Sequence, residues 1–118
     1  MSSQPKPPSL TITRAQEGDS EWCAHLMAGT EPWITLRRDL KQCRAALGRP
    51  GGELYIAREA GDRAGFILIH PYGCAGSVYI ASVAVAERAR GRGIGTQLVA
   101  FAEGRATGGQ SFIFLLAL

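Results

Sequence analysis

The chain has 118 residues, 46% of them hydrophobic and 19% charged, with a formal net charge of +3. That length holds one domain with one modest core, and the composition is that of a soluble globular chain. The mild positive balance accommodates an anionic ligand without requiring nucleic acid, and neither a signal-peptide core nor a membrane-length apolar run is found, so a cytoplasmic protein without a membrane partner is expected.

"MSSQPKPPS" is proline-rich and polar and reads as a flexible tail over residues 1–9. The domain is expected over residues 10–118. "LTITR" (Leu10 to Arg14) alternates apolar and polar residues, as a short strand does. "GDSEWCAHLMAG" offers Asp19 or Ser20 as an N-cap, an apolar set at Trp22, Cys23, Leu26 and Met27, and Gly29 as a stop. A second amphipathic helix is expected in "EPWITLRRDLKQCRAALGRPGG", starting at Pro32. Its apolar face would carry Leu36, Leu40, Cys43 and Leu47. "ELYIARE" and "RAGFILIH" flank the turn signal "AGD" and read as a β-hairpin. "PYGCAG" is expected as a loop, and "SVYIASVAV" as a strand buried on both faces. A helix from about Ile94, with Leu98, Phe101 and Ala102 on one side, precedes a last strand, "SFIFLLAL". The order β-α-α-β-β-β-α-β is that of an α/β (α+β) domain with a mixed sheet. Cys23, Cys43 and Cys74 are widely spaced, include no C-x-x-C pair, and read as small apolar residues in a reducing compartment. No metal site is expected.

The chemistry concentrates in "ERARGRGIGTQLV", Glu87 to Val99. It joins the end of a buried strand to a helix, whose first amides have no intrahelical partner and attract anions. Gly91, Gly93 and Gly95 remove side chains that would block a phosphate and permit positive φ. Arg88, Arg90 and Arg92 add charge-assisted donors. The segment is not a P-loop, because no lysine follows the glycines. Nor is it a dinucleotide fingerprint, because Thr96 stands where the third glycine belongs. An arginine–glycine RNA-binding segment and a plain solvated connection remain open on the residues alone.

"SVAVAERARGRGIGTQLVAFAEGRA" resembles the acetyl-CoA-binding motif of the GNAT superfamily of N-acetyltransferases, [QR]-x-x-G-x-[GA], through Arg88, Gly91 and Gly93, with Gly95 and Thr96 continuing the helix entry. The element order follows that fold over nearly all the chain after Ser9. The resemblance implies acetyl transfer from acetyl-CoA to a primary amine of a small molecule or protein. A non-catalytic acyl-CoA-binding or interaction module is the alternative. It also implies that Val83, Ala84 and Val85 face the pantetheine arm, and that Arg88 and Arg90 to Thr96 (Arg90, Gly91, Arg92, Gly93, Ile94, Gly95, Thr96) receive the pyrophosphate. Ser77 to Val85 and Ser111 to Leu118 would form a splayed pair through which the thioester reaches the acceptor.

Some family members keep a glutamate on the strand before the motif, where this chain has Tyr79. Glu53, His70 and Tyr79 are the candidates for a base or water relay, although His70 can simply end its strand beside Pro71 and Tyr79 can be a core aromatic. Glu31 and Trp33 are candidate acceptor-binding residues, with first-turn charge and core packing as their structural readings. Against the family pattern the chain ends at or inside the fifth strand, and the tyrosine often used as general acid has no counterpart. An apolar edge at Phe112 to Leu118 is therefore expected to pair with a second copy, as a homodimer or swapped assembly, and turnover is expected to be weak.

Overall fold

The computed structural model describes residues 10–31, 33–74, 77–105 and 112–114. The expected tail over residues 1–9 and the helix start at Pro32 lie outside the described residues. β1 (Leu10–Arg14) leads into α1 (Asp19–Ala28) and α2 (Leu40–Leu47). β2 (Glu53–Glu59), β3 (Asp62–Cys74) and β4 (Ser77–Val85) follow, then α3 (Ile94–Arg105) and β5 (Phe112–Phe114). The sheet order is β1-β2-β3-β4-β5. The first three pairings are antiparallel and β4–β5 is parallel, so the sheet is mixed as expected.

Each face of the sheet carries its own core. On one, Leu54, Ile56, Phe66, Leu68 and Ala84 meet Cys23, Ala24 and Met27 of α1 and Cys43 and Leu47 of α2. On the other, Ile67, Ile69, Val78 and Ile80 meet Ile94, Leu98 and Ala102, which recur every four residues along α3. Fully burying a leucine such as Leu98 contributes about 2–3 kcal/mol, which fixes α3 and the loop ahead of it against the sheet. Cys23 and Cys43 are free and buried, and burial pushes the Cys23 thiol up to about 12, so it packs as an apolar group.

Several boundaries differ from those expected. Gly18, not Asp19 or Ser20, is the N-cap of α1, and it makes no side-chain capping bond. α2 is a short helix over Leu40–Leu47 only. Arg37 has a φ of 57°, which breaks the helical path, and a fresh capping box then forms. In it the Gln42 amide donates to the Asp39 carboxylate at 2.8 Å, and the Asp39 amide donates to the Gln42 side chain at 3.0 Å. Leu36 therefore lies outside the helix and is 54% exposed. β3 continues to Cys74 through what reads as a loop in the sequence. Its pairing with β4 is irregular between His70 and Cys74, across Pro71, which has no amide hydrogen for the ladder. β5 is described over three residues; Ser111 and residues 115–118 lie outside the described residues, and with them most of the expected self-pairing edge.

Two details of β4 shape the site. Leu68 pairs with Ser82 whereas Ile69 pairs with Ile80, so Ala81 is an extra residue that bulges the strand. β5 pairs with Val78, Tyr79 and Ile80. Among the described residues, Ala81 to Val85 has no strand partner on that side.

Candidate functional site

β4 ends at Val85 and a short 3₁₀ turn over Glu87–Ala89 carries the chain toward α3. The first closed turn of α3 is the bond from the Gln97 amide to the Gly93 carbonyl at 3.0 Å. The amides from Gly91 to Thr96 take no backbone partner among the described residues. Gly91 and Gly93 have φ of 82° and 78°, which costs an L side chain about 1–2 kcal/mol. A Cβ at either position would meet nothing within 4 Å among the described residues, so the loop is uncrowded at these two glycines. Gly95 differs: it sits inside the helix, and a Cβ there would lie 3.7 Å from the Val85 side chain. A run of amides without backbone partners among the described residues, at the positive end of a twelve-residue helix, has the geometry and polarity that suit an anion.

The arginines brace this loop. Arg88 donates to the Arg63 carbonyl, and Arg90 Nε donates to the Val85 carbonyl at 3.0 Å. Arg92 spans from Glu59 Oε1 at 2.7 Å to the Arg88 carbonyl at 2.9 Å. Arg63 is itself fixed from below, because its Nε donates to Asp19 Oδ1 at 2.8 Å. Arg58 donates to both oxygens of the same carboxylate at 2.9 and 2.8 Å, and the Gln16 amide donates to Oδ2 at 2.8 Å. Asp19 is only 1% exposed. Burial pushes its carboxyl up, but the Gln16 amide and the two guanidiniums outweigh this and hold it below the usual carboxylate range. The chain of contacts thus runs from a buried carboxylate through the β2–β3 hairpin to the glycine loop.

Beside the loop, a groove of about 420 Å³ runs along Val83, Ala84 and Val85, flanked by Gly29 and Thr30 at the end of α1 and by Arg90. Glu31 lines this groove rather than the second cavity. Its carboxylate accepts from the Thr35 amide at 3.0 Å and the Thr35 hydroxyl at 2.6 Å, closing the turn after α1.

On the α1/α2 face, a cavity of about 320 Å³ opens over the middle of β4. Its floor is Leu68, His70, Tyr79 and the bulged stretch Ile80–Val83, including the buried Ser82. Met27 and Trp33 wall one side; Leu36, Arg38, Ala46 and Arg49 complete the rim. His70 and Tyr79 are cross-strand partners with ring centroids 6.5 Å apart. Burial, reinforced by the Arg49 guanidinium, holds the His70 imidazole below its ordinary value. It is therefore neutral at pH 7 and able to accept a proton.

Three of the expected side chains, His70, Tyr79 and Trp33, are thus brought to one cavity. Glu53 is not. It pairs with Ile69, which faces α3, so it lies on the opposite side of the sheet, where it accepts from the Tyr55 hydroxyl at 2.8 Å. Sequence reasoning missed Asp19 as a brace, the bulge at Ala81, and Arg38, Arg49 and Ser82 on the cavity. The D-x-x-Q spacing of Asp39 and Gln42 could have shown that Arg38 precedes a helix instead of lying within one.

Among the described residues no helix is long and apolar enough to cross a membrane, and no three His, Cys, Asp or Glu side chains group as metal ligands. The sequence model of the acetyltransferase (GNAT) family matches residues 17–116. A transcriptional regulator from Bacillus halodurans C-125 is similar in structure, with a TM-score of 0.71, 27% identity, and coverage of 93% of this chain and 83% of the other. An aminoglycoside N-acetyltransferase solved in complex with CoA superposes with a TM-score of 0.69 at 19% identity, over 97% of this chain and 81% of that one. The ribosomal-protein-alanine N-acetyltransferase from Brucella melitensis biovar Abortus 2308 gives 0.64 at 21% identity, over 92% and 82%. No curated protein matches the sequence.

Proposed function

The chain belongs to the acetyltransferase (GNAT) family, and on that footing we propose that it transfers an acetyl group from acetyl-CoA to a primary amine. The observation that carries this reading is the run of amides from Gly91 to Thr96, without backbone partners among the described residues, one residue beyond Arg90, which lines the groove along Val83–Val85. The residues present fit the cosubstrate. The amides and the α3 dipole suit a pyrophosphate, and the side of β4 beyond Ile80, which has no strand partner among the described residues, suits the amide-bearing pantetheine arm. Arg88, Arg90 and Arg92 hold the loop in shape and surround it with positive charge.

Acetyl-CoA, when bound, supplies a thioester whose leaving thiolate resembles that of cysteine, with a pKa of about 8.5, so a strong acid is not obligatory. The acceptor is the harder problem. An alkylammonium has a pKa of about 10.4, so removing its proton at pH 7 costs roughly 4–5 kcal/mol. His70, kept neutral in the cavity, takes that proton directly or through a water, and Tyr79 beside it orients the amine or the water. The bulged Ala81 lies along β4 between Tyr79 in the cavity and the groove at Val83–Val85. Titration calorimetry with coenzyme A tests the binding half, and a thiol-release assay with acetyl-CoA and a panel of amines tests the transfer. Absence of coenzyme A binding would overturn the reading; binding without transfer to any amine would favour the non-catalytic alternative.

A further inference from the structure

The cavity over β4 has an unusual charge balance for a site that is to receive an ammonium. Two guanidiniums, Arg38 from the turn before α2 and Arg49 from the turn after it, stand on its rim, and among the described residues no carboxylate lines it. All ten Asp and Glu residues of the sequence fall among the described residues. Several are engaged elsewhere: Asp19 with Arg58 and Arg63, Glu21 with Arg44, Glu59 with Arg92, and Asp39 capping α2. Neither Arg38 nor Arg49 makes an ion pair or a side-chain hydrogen bond among the described residues. Arg49 lies near enough to His70 to act on its charge. That point is far from the glycine loop: Tyr79 is six residues before Val85, about 20 Å along an extended strand. Arg49 is thus too distant to serve a pyrophosphate at Gly91–Thr96.

Resting on the acetyltransferase reading above, we propose that the acceptor is an amine that carries a carboxylate, of free-amino-acid size, with Arg38 and Arg49 receiving the carboxylate while the amine faces His70 and Tyr79. The cavity, at about 320 Å³, is at the small end of ligand sites, which suits an amino acid better than a long chain. Guanidiniums bind carboxylates through paired charge-assisted donors. A polycationic acceptor would meet two positive charges and no countercharge. The flat apolar surfaces of Trp33 and Leu36 leave room for a hydrophobic side chain on the acceptor.

The test uses the full chain with acetyl-CoA. The twenty amino acids, their carboxamides, spermidine, kanamycin and a short peptide with a free N-terminus followed by two aspartates are assayed singly for thiol release. Binding of each to the protein loaded with desulfo-coenzyme A is measured calorimetrically. At least one amino acid is expected to bind and be acetylated, with kcat/KM at least about tenfold above its carboxamide, and spermidine and kanamycin are expected to be inert. Arg38→Gln and Arg49→Gln should each shrink the acid-to-amide ratio while coenzyme A affinity stays at the wild-type value. A preference for the acidic peptide over every free amino acid would overturn the proposal, because the acceptor would then be a protein terminus and not a free amino acid. Preference for spermidine or kanamycin, an unchanged acid-to-amide ratio in both variants, or no amine bound by a protein that binds coenzyme A, would overturn the proposal. Failure to bind coenzyme A at all would instead remove the acetyltransferase reading beneath it.

Discussion

The two ends of the β4 site are built from different materials. At its C-terminal end, the glycine loop presents backbone amides, and the arginine side chains hold that backbone in place: Arg88, Arg90 and Arg92 each donate to a carbonyl, and Arg92 also to Glu59. At its middle, the cavity is made of side chains from β3, β4, both helices of one face and the turns beside them. A backbone site is local, so its geometry survives most changes of side chain but not a change of φ. A side-chain site is assembled over long sequence distances and can be retuned one residue at a time. That division suits an enzyme family whose cosubstrate is constant while its acceptors vary.

Substitutions at the two ends should separate cleanly. The largest effect is expected from Gly93→Asp, which combines a strained φ of 78° with a carboxylate over the open amides. Coenzyme A affinity should fall by at least about a hundredfold, from lost charge-assisted bonds and added repulsion. Calorimetry measures this, with circular dichroism to verify the fold. An affinity within threefold of wild type would mean that the phosphates bind elsewhere.

Next is Asp19→Ala, which leaves Arg58 and Arg63 facing a buried gap. Breaking a buried pair by removing one partner costs about 3–5 kcal/mol; because the arginines are 25% and 35% exposed, about 2–3 kcal/mol is expected here, read from urea unfolding. The folded carboxyl is held low, so the stability it contributes is present above the unfolded value of about 3.9 and is lost as pH falls through the lower folded value. Wild type should therefore lose more stability than Asp19→Ala in that acid window, the remaining loss in the variant coming from other paired carboxylates such as Glu21. Equal acid sensitivity of the two would remove Asp19 from its bracing role.

His70→Asn should act on the other end alone. A loss of about tenfold to a hundredfold in kcat is expected, with coenzyme A affinity unchanged. Because His70 is held below its ordinary value, the acid limb of kcat/KM should lie under about pH 6.5, and Arg49→Gln should move it upward. A limb that stays put in Arg49→Gln would place the titrating group elsewhere. The smallest effect is expected from Arg92→Gln. It loses one partly exposed ion pair with Glu59, worth about 0–1 kcal/mol, so coenzyme A should bind only a few-fold more weakly and with a shallower salt dependence. A loss as large as that in Gly93→Asp would mean that Arg92 touches the phosphates itself.

The same division explains what could be read from the chain. The strand–glycine–helix segment lies within some twenty consecutive residues, and its start at Ile94 and buried Leu98 and Ala102 stand where periodicity puts them. The β2–β3 hairpin was legible for the same reason, its two strands flanking one turn. The stretch from Trp33 to Arg38 was not. Leu36, Leu40, Cys43 and Leu47 mimic a continuous helical face, and only the positive φ at Arg37 and the capping box at Asp39 show that it is two pieces. Glu53 and His70 look equivalent as base candidates in sequence, yet register puts them on opposite faces of the sheet. Arg38 and Arg49 carry no motif at all, and their meaning depends on an absence of carboxylates that only the assembled cavity reveals.

The most direct test of the anion site is an amide-resolved one. With the protein labelled with ¹⁵N, coenzyme A is titrated and every backbone amide followed by NMR. The amides of Gly91 to Thr96 should show the largest shifts, with Val83 to Val85 moving alongside and the strands β1 and β2 nearly still. Shifts centred anywhere else, with Gly91 to Thr96 unmoved at saturation, would contradict the assignment of these amides to the phosphates.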